Sequence, residues 1–181
     1  MAAERLECDH IELDRLFDEV FTAIGGADCA EVFQRLDLFW ARLAMHIRAE
    51  HLHLFPAVRW LSEQAGSDAV SETAGLPELL DELRRDHDLF MVQLARAIKA
   101  MRLTFHFGNG DETLTFVSGL LDEVRDRLAI HNRNEETRIY ILASEAWLPA
   151  DMAAALRWGI DTELSKIPPR FRPAPKTGRT T

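Results

Sequence analysis

The sequence predicts an all-α protein: an antiparallel, up-down-up-down four-helix bundle with a short extra helix at its C-terminal end. Three observations lead there. Breakers are scarce: the 181 residues hold nine Gly and seven Pro, and four of those Pro fall in the last fourteen positions. Apolar side chains recur in alternating steps of three and four, the period of one helical face. Two connections between the periodic stretches are short and one is longer, which sets successive helices side by side and antiparallel. Apolar residues make up 47% and charged residues 28%, enough to bury a core and unlike a disordered chain.

The first helix carries the seam Leu6, His10, Leu13, Phe17, Val20 and Ile24 and stops at Gly25 and Gly26. Asp28, with Glu31 three residues on, reads as the N-cap of the second helix. Its seam is Val32, Leu36, Phe39, Leu43, His46, Glu50 and His53; Pro56 bends or ends it, with room for a further turn over 58–61. Residues 64–75 form a small, polar connection. Pro77 fits the first turn of the third helix, whose seam is Leu80, Leu83, His87, Phe90 or Met91, Leu94, Ile98, Met101 and Phe105. After a turn over 106–111, with Asp111 as the next cap, the fourth seam runs Leu114, Val117, Leu121, Val124, Leu128, His131, Glu135, Ile139 and Leu142. A shorter helix after Pro149 uses Met152, Leu156, Ile160 and Leu164. Residues 1–165 therefore read as one bundle plus its short helix, and 166–181 as a flexible, basic, Pro-rich tail. No repeat of solenoid type is evident.

Charge and composition narrow the function. Acidic residues outnumber basic ones, 30 to 21, for a net charge of −9 and a pI near 5.2. Such a surface repels phosphate backbones, so nucleic acid is a poor partner. No apolar run reaches the roughly 18–20 residues that cross a bilayer, so no membrane partner is expected. The N-terminus is charged within four residues and lacks a signal-peptide core. Cys8 and Cys29 form neither a disulfide framework nor a C-x-x-C pair. The expected compartment is the reducing cytoplasm.

Six polar residues occupy seam positions where a bundle wants Leu: His10, His46, Glu50, His87, His131 and Glu135. Glu is seldom buried without a partner, because desolvating a charge is costly. The up-down topology puts all six at one height. Counted from the distal turns they lie about 15–22 residues away, roughly 22–33 Å at about 1.5 Å per residue. The two H-x-x-x-E pairs, 46–50 and 131–135, set imidazole and carboxylate one turn apart on one face. A hydrogen-bonded His–Glu core would leave an expensive buried ion network. Metal binding removes that expense. Four imidazoles and two carboxylates without a thiolate suit iron, and six donors are too many for one tetrahedral zinc. Shared between two ions, they give two His to each and two bridging carboxylates, leaving positions for an oxo or hydroxo bridge and a small ligand.

The ordered set of stretches 9–17, 46–58, 85–90 and 131–142 resembles the hemerythrin-like, HHE cation-binding family of di-iron four-helix bundles. The resemblance covers about residues 4–145. It implies two non-haem iron ions, oxo- or hydroxo-bridged, with His10, His46, His87 and His131 as terminal ligands and Glu50 and Glu135 as bridges. It implies a small diatomic or peroxide partner (O₂, NO or peroxide), or else an iron donor for damaged iron centres, or an iron- or redox-sensing module without catalysis. The oxygen-carrying hemerythrins have a fifth His where this chain has Met91, and their last ligand lies five residues after the fourth-helix His, the place of Glu136. The set here is more similar to repair-of-iron-centres proteins and iron-sensing domains, which use four His and two Glu. Around this core, His53 is expected behind the ligands or partly exposed, His51 facing away, and Asp9 and Asp86 orienting neighbours or accepting an imidazole N–H. His106 is expected at the far end of the bundle and Tyr140 outside the ligand set.

Overall fold

The computed structural model describes residues 1–64, 75–143, 146–166 and 171. Helix α1 spans Ala2–Gly25 and α2 spans Cys29–Ala49. A five-residue π turn, Glu50–Leu54, joins α2 to α3, Phe55–Gln64, so the second rod continues through Pro56 instead of ending there. Proline lacks an N–H, and Pro56 falls directly after the π turn, where the regular ladder of helix bonds is already interrupted. The third rod is α4, Leu76–Phe107, with Pro77 in its first turn. The fourth is α5, Gly110–Asn134, followed by a second π turn, Glu135–Ile139, and a 3₁₀ turn, Tyr140–Leu142. Helix α6, Ala150–Leu164, starts after Pro149. Among the described residues there is no strand. The connection at 65–74 and the tail beyond Lys166, except Phe171, lie outside the described residues.

Local chemistry sets the turns. The Asp28 carboxylate caps α2, accepting from the N–H groups of Ala30 and Glu31 at 2.9 and 3.1 Å. Gly108 closes α4 at φ +75°, a conformation that favours glycine. Asp111 is not the cap expected of it: the cap lies two residues earlier, at Asn109, and Asp111 falls inside the first turn. There its negative charge still complements the helix N-terminus.

Helix α1 packs along α2 and α4 along α5, while α2 against α4 and α1 against α5 close the ring. Two apolar cores result. The distal one is built from Leu13, Phe17, Phe39, Leu94, Val117, Leu121 and their neighbours, with the Phe17 and Phe39 rings stacked at 4.3 Å. The proximal one joins Leu6, Leu54, Phe55, Leu80, Leu83 and Ile139 to α6 through Leu156 and Ile160. Each large apolar side chain buried there contributes about 1.5–3 kcal/mol. Between the cores lies a layer of buried His, Asp and Glu, where burial is unfavourable unless charges are matched.

Helix α6 lies against α1, α2 and the first π turn. Arg42 donates to the Leu164 carbonyl at 3.0 Å, and Arg48 to the Glu163 carboxylate at 2.9 Å. A Cβ on Gly159 would sit 2.4 Å from Nδ1 of His53, so only glycine permits this approach. No helix among the described residues is long and apolar enough to cross a membrane.

Candidate metal centre

The buried layer is assembled from one imidazole per rod. Helical phase turns His10, His46, His87 and His131 inward, and each is at most 3% exposed. Glu50 and Glu135 open the two π turns and are fully buried. The six side chains form two groups that share both carboxylates. His10, His46, Glu50 and Glu135 each offer one donor atom within 4.8 Å of the others, and so do Glu50, His87, His131 and Glu135. At metal–ligand distances of about 2.0–2.2 Å, donors across one ion are about 4 Å apart, so each group has the dimensions of a single coordination shell.

The ring nitrogens facing away from the layer are all held. Nδ1 of His46 meets the Asp9 carboxylate at 3.0 Å, and Nδ1 of His131 meets that of Asp86 at 3.3 Å. Arg42 donates to the other oxygen of Asp9 at 2.6 Å, and Arg127 to that of Asp86 at 2.7 Å. Nδ1 of His10 meets Glu136 at 2.9 Å, and Nδ1 of His87 meets Nε2 of His51 at 2.8 Å. A carboxylate only accepts, so on His10, His46 and His131 the proton belongs on Nδ1 and a lone pair belongs on Nε2.

Those lone pairs converge. Nε2 of His10 lies 3.1 Å from Nε2 of His46, and Nε2 of His87 lies 2.9 Å from that of His131. Nε2 of His131 is also 3.1 Å from Oε1 of Glu135, and Nε2 of His87 is 3.3 Å from Oε2 of Glu50. Neither of those carboxylate oxygens has a hydrogen bond among the described residues. Facing lone pairs at such distances repel unless a cation lies between them, either protons or metal ions. The electrostatics point the same way. Burial pushes His46 down, but the Glu50 and Asp9 carboxylates outweigh it and pull it up to about 10. His131 is likewise depressed by burial and drawn up to about 9 by Glu135 and Asp86. Burial raises Glu50, yet His46 and His87 hold it well below the usual carboxylate range. The donor set thus fits a metal: N and O atoms only, oriented from behind by carboxylates, the usual way a ligand imidazole is fixed.

Sequence reasoning placed some neighbours differently. His51 does not face away; it supports His87. Asp9 and Asp86 do accept imidazole N–H groups, but from the next rod's His46 and His131, not from their sequence neighbours. His53 packs on Gly159 of α6, outside both groups. Met91 is a half-buried part of the distal core, and Phe90 instead flanks the layer, its ring edge-on to His131 at 5.3 Å. His106 is exposed at the far end of α4. Tyr140 is the residue missed. It is fully buried, and its hydroxyl lies 2.8 Å from Oε1 of Glu50 and 3.0 Å from Nε2 of His10. The π turn is the cause. In a regular helix five residues carry a side chain about 140° beyond a full turn. A turn closed by the N–H of residue i+5 on the carbonyl of residue i returns Tyr140 to the face of Glu135, as it returns Phe55 to that of Glu50.

A family model, that of the hemerythrin HHE cation binding domain, matches residues 1–143. Neither the curated proteins nor the solved structures contain a significant match to the chain.

Proposed function

The chain belongs to the hemerythrin HHE cation-binding family, and on that premise we propose that it holds two iron ions and binds or processes a small oxidant at them. His10 and His46 serve one ion and His87 and His131 the other, while Glu50 and Glu135 bridge. The observation that carries this reading is the convergence of four Nε2 atoms on two shared, fully buried carboxylates. One tetrahedral zinc would leave donors over, whereas two ions use all six and keep positions open. When bound, a pair of irons supplies two electrons' worth of redox change and a Lewis-acidic position for O₂, NO or peroxide.

The protein's own contribution is dryness and orientation. Phe55 lies parallel to His87 at 5.8 Å and Phe90 edge-on to His131, so the second group is walled by aromatic rings. Asp9, Asp86 and Glu136 fix the imidazole tautomers. Complete burial between two apolar cores favours retained ions over a labile iron store, and Met91 in place of a fifth histidine supports a set unlike that of the oxygen carriers. Metal analysis together with an absorption spectrum tests the proposal. The expected result is about two irons per chain with an oxo-bridge charge-transfer band; a single zinc per chain overturns it.

A further inference from the structure

The phenol of Tyr140 has more acceptors around it than one proton can serve. Its oxygen lies 2.8 Å from Oε1 of Glu50, 3.0 Å from Nε2 of His10, 3.3 Å from Oε2 of Glu135 and 3.5 Å from Nε2 of His46. Those are the four residues of the first donor group. The single O–H can point at Glu50, which leaves the oxygen's lone pairs facing that of His10, whose ring proton is already committed to Glu136. The phenol oxygen is thus packed exactly as the other donors are. It faces one donor atom from each residue of the first group, with the ring locked by complete burial. The matching position in the other half is Phe55, which has no donor atom at all.

We propose that Tyr140 is a fifth protein donor, a phenolate ligand, to the ion held by His10, His46, Glu50 and Glu135. The inference rests on the reading of the layer as a two-ion centre. On coordination the phenol O–H bond is replaced by an oxygen–metal bond, and the proton is released to solvent. The two ions are then unlike. One is closed in by protein, and the other, beside Phe55 and Phe90, keeps the place for the exogenous ligand.

Tyr140 is the only tyrosine in the chain, so any tyrosinate signal belongs to it. The full-length protein is loaded with ferrous iron, oxidised in air, and measured for iron content, visible absorption and resonance Raman scattering. The experiment is repeated on Tyr140→Phe and on wild-type protein made with ring-deuterated tyrosine. The expected result is a phenolate-to-iron charge-transfer band with enhanced phenolate ring modes. Deuteration shifts those modes, and Y140F loses both signals while keeping its iron. Iron-loaded wild-type protein without phenolate modes overturns the proposal and leaves the two-ion reading standing, with Tyr140 reduced to a hydrogen-bond donor to Glu50. Failure of wild-type protein to take up iron overturns both. The isotope arm needs no mutation, so it decides the matter even if Y140F misfolds.

Discussion

The α1–α2 half and the α4–α5 half of the bundle are built on one plan. Each begins with an Asp-His pair, 9–10 and 86–87, and each continues with Arg-x-x-x-His-x-x-x-Glu, 42–50 and 127–135. In both, the arginine holds the aspartate, the aspartate holds the second histidine, and the glutamate opens a π turn. Two of their differences follow the glutamate. After the bridging glutamate one half has His51 and the other Glu136; five residues on, one has Phe55 and the other Tyr140. Because these residues reach across, Glu136 and Tyr140 both contact His10 of the α1–α2 half. That site receives an added carboxylate behind His10 and a phenol oxygen in front, while its counterpart receives a neutral imidazole and a phenyl ring. A shared frame makes two donor groups that share their carboxylates, and the residues that follow each glutamate make the groups chemically different.

The largest effect should come from what the halves share. Glu50→Ala, Glu135→Ala or His131→Ala should abolish the iron spectrum, because each removes a donor from a cage with no spare bridge; metal analysis and absorption check this. If only one ion is lost in a Glu variant, the carboxylates are not shared. Next, Asp9→Ala and Asp86→Ala should each weaken metal binding by about 10–100-fold in a chelator competition, and by similar amounts. A large difference between them would break the equivalence of the halves.

What was legible in the sequence follows the same line. Most of the four seams and the six polar intrusions obey the regular period of 3.6 and could be read from spacing alone; Phe105, placed in the third seam, is instead exposed, because it lies in the last turn of α4, and His53 lies outside the layer. His51 and Tyr140 could not, because each lies in or just beyond a π turn, where the phase slips by about one residue. The doubled pattern His-x-x-x-Glu-x-x-x-x-aromatic, ending in Phe55 once and Tyr140 once, was the available signal. The cross-rod pairing of Asp9 with His46 was invisible for another reason: it depends on which neighbour a rod faces, not on its own period.

Smaller contrasts lie further from the ions. Arg42 is 22% exposed and bonds both Asp9 and the end of α6, whereas Arg127 is 38% exposed and bonds Asp86 and the surface residue Glu82. Arg42→Ala should therefore cost about 2 kcal/mol in urea unfolding, and Arg127→Ala about 1 kcal/mol or less. Equal losses would mean that α6 adds nothing to the first half. Least of all, His106→Ala should stay within about 0.5 kcal/mol of wild type and leave the spectrum unchanged.

The charged layer sits between two close-packed apolar cores, with every one of its six seam residues almost wholly hidden from water. A small molecule bound there, as proposed, would have to pass packed side chains rather than enter an open cleft. On the proposed two-ion reading, Phe55 and Phe90, which pack against His87 and His131, are among the side chains that would have to give way. Such a path would favour diatomics and peroxide, the ligand class proposed above, over anything with a carbon skeleton.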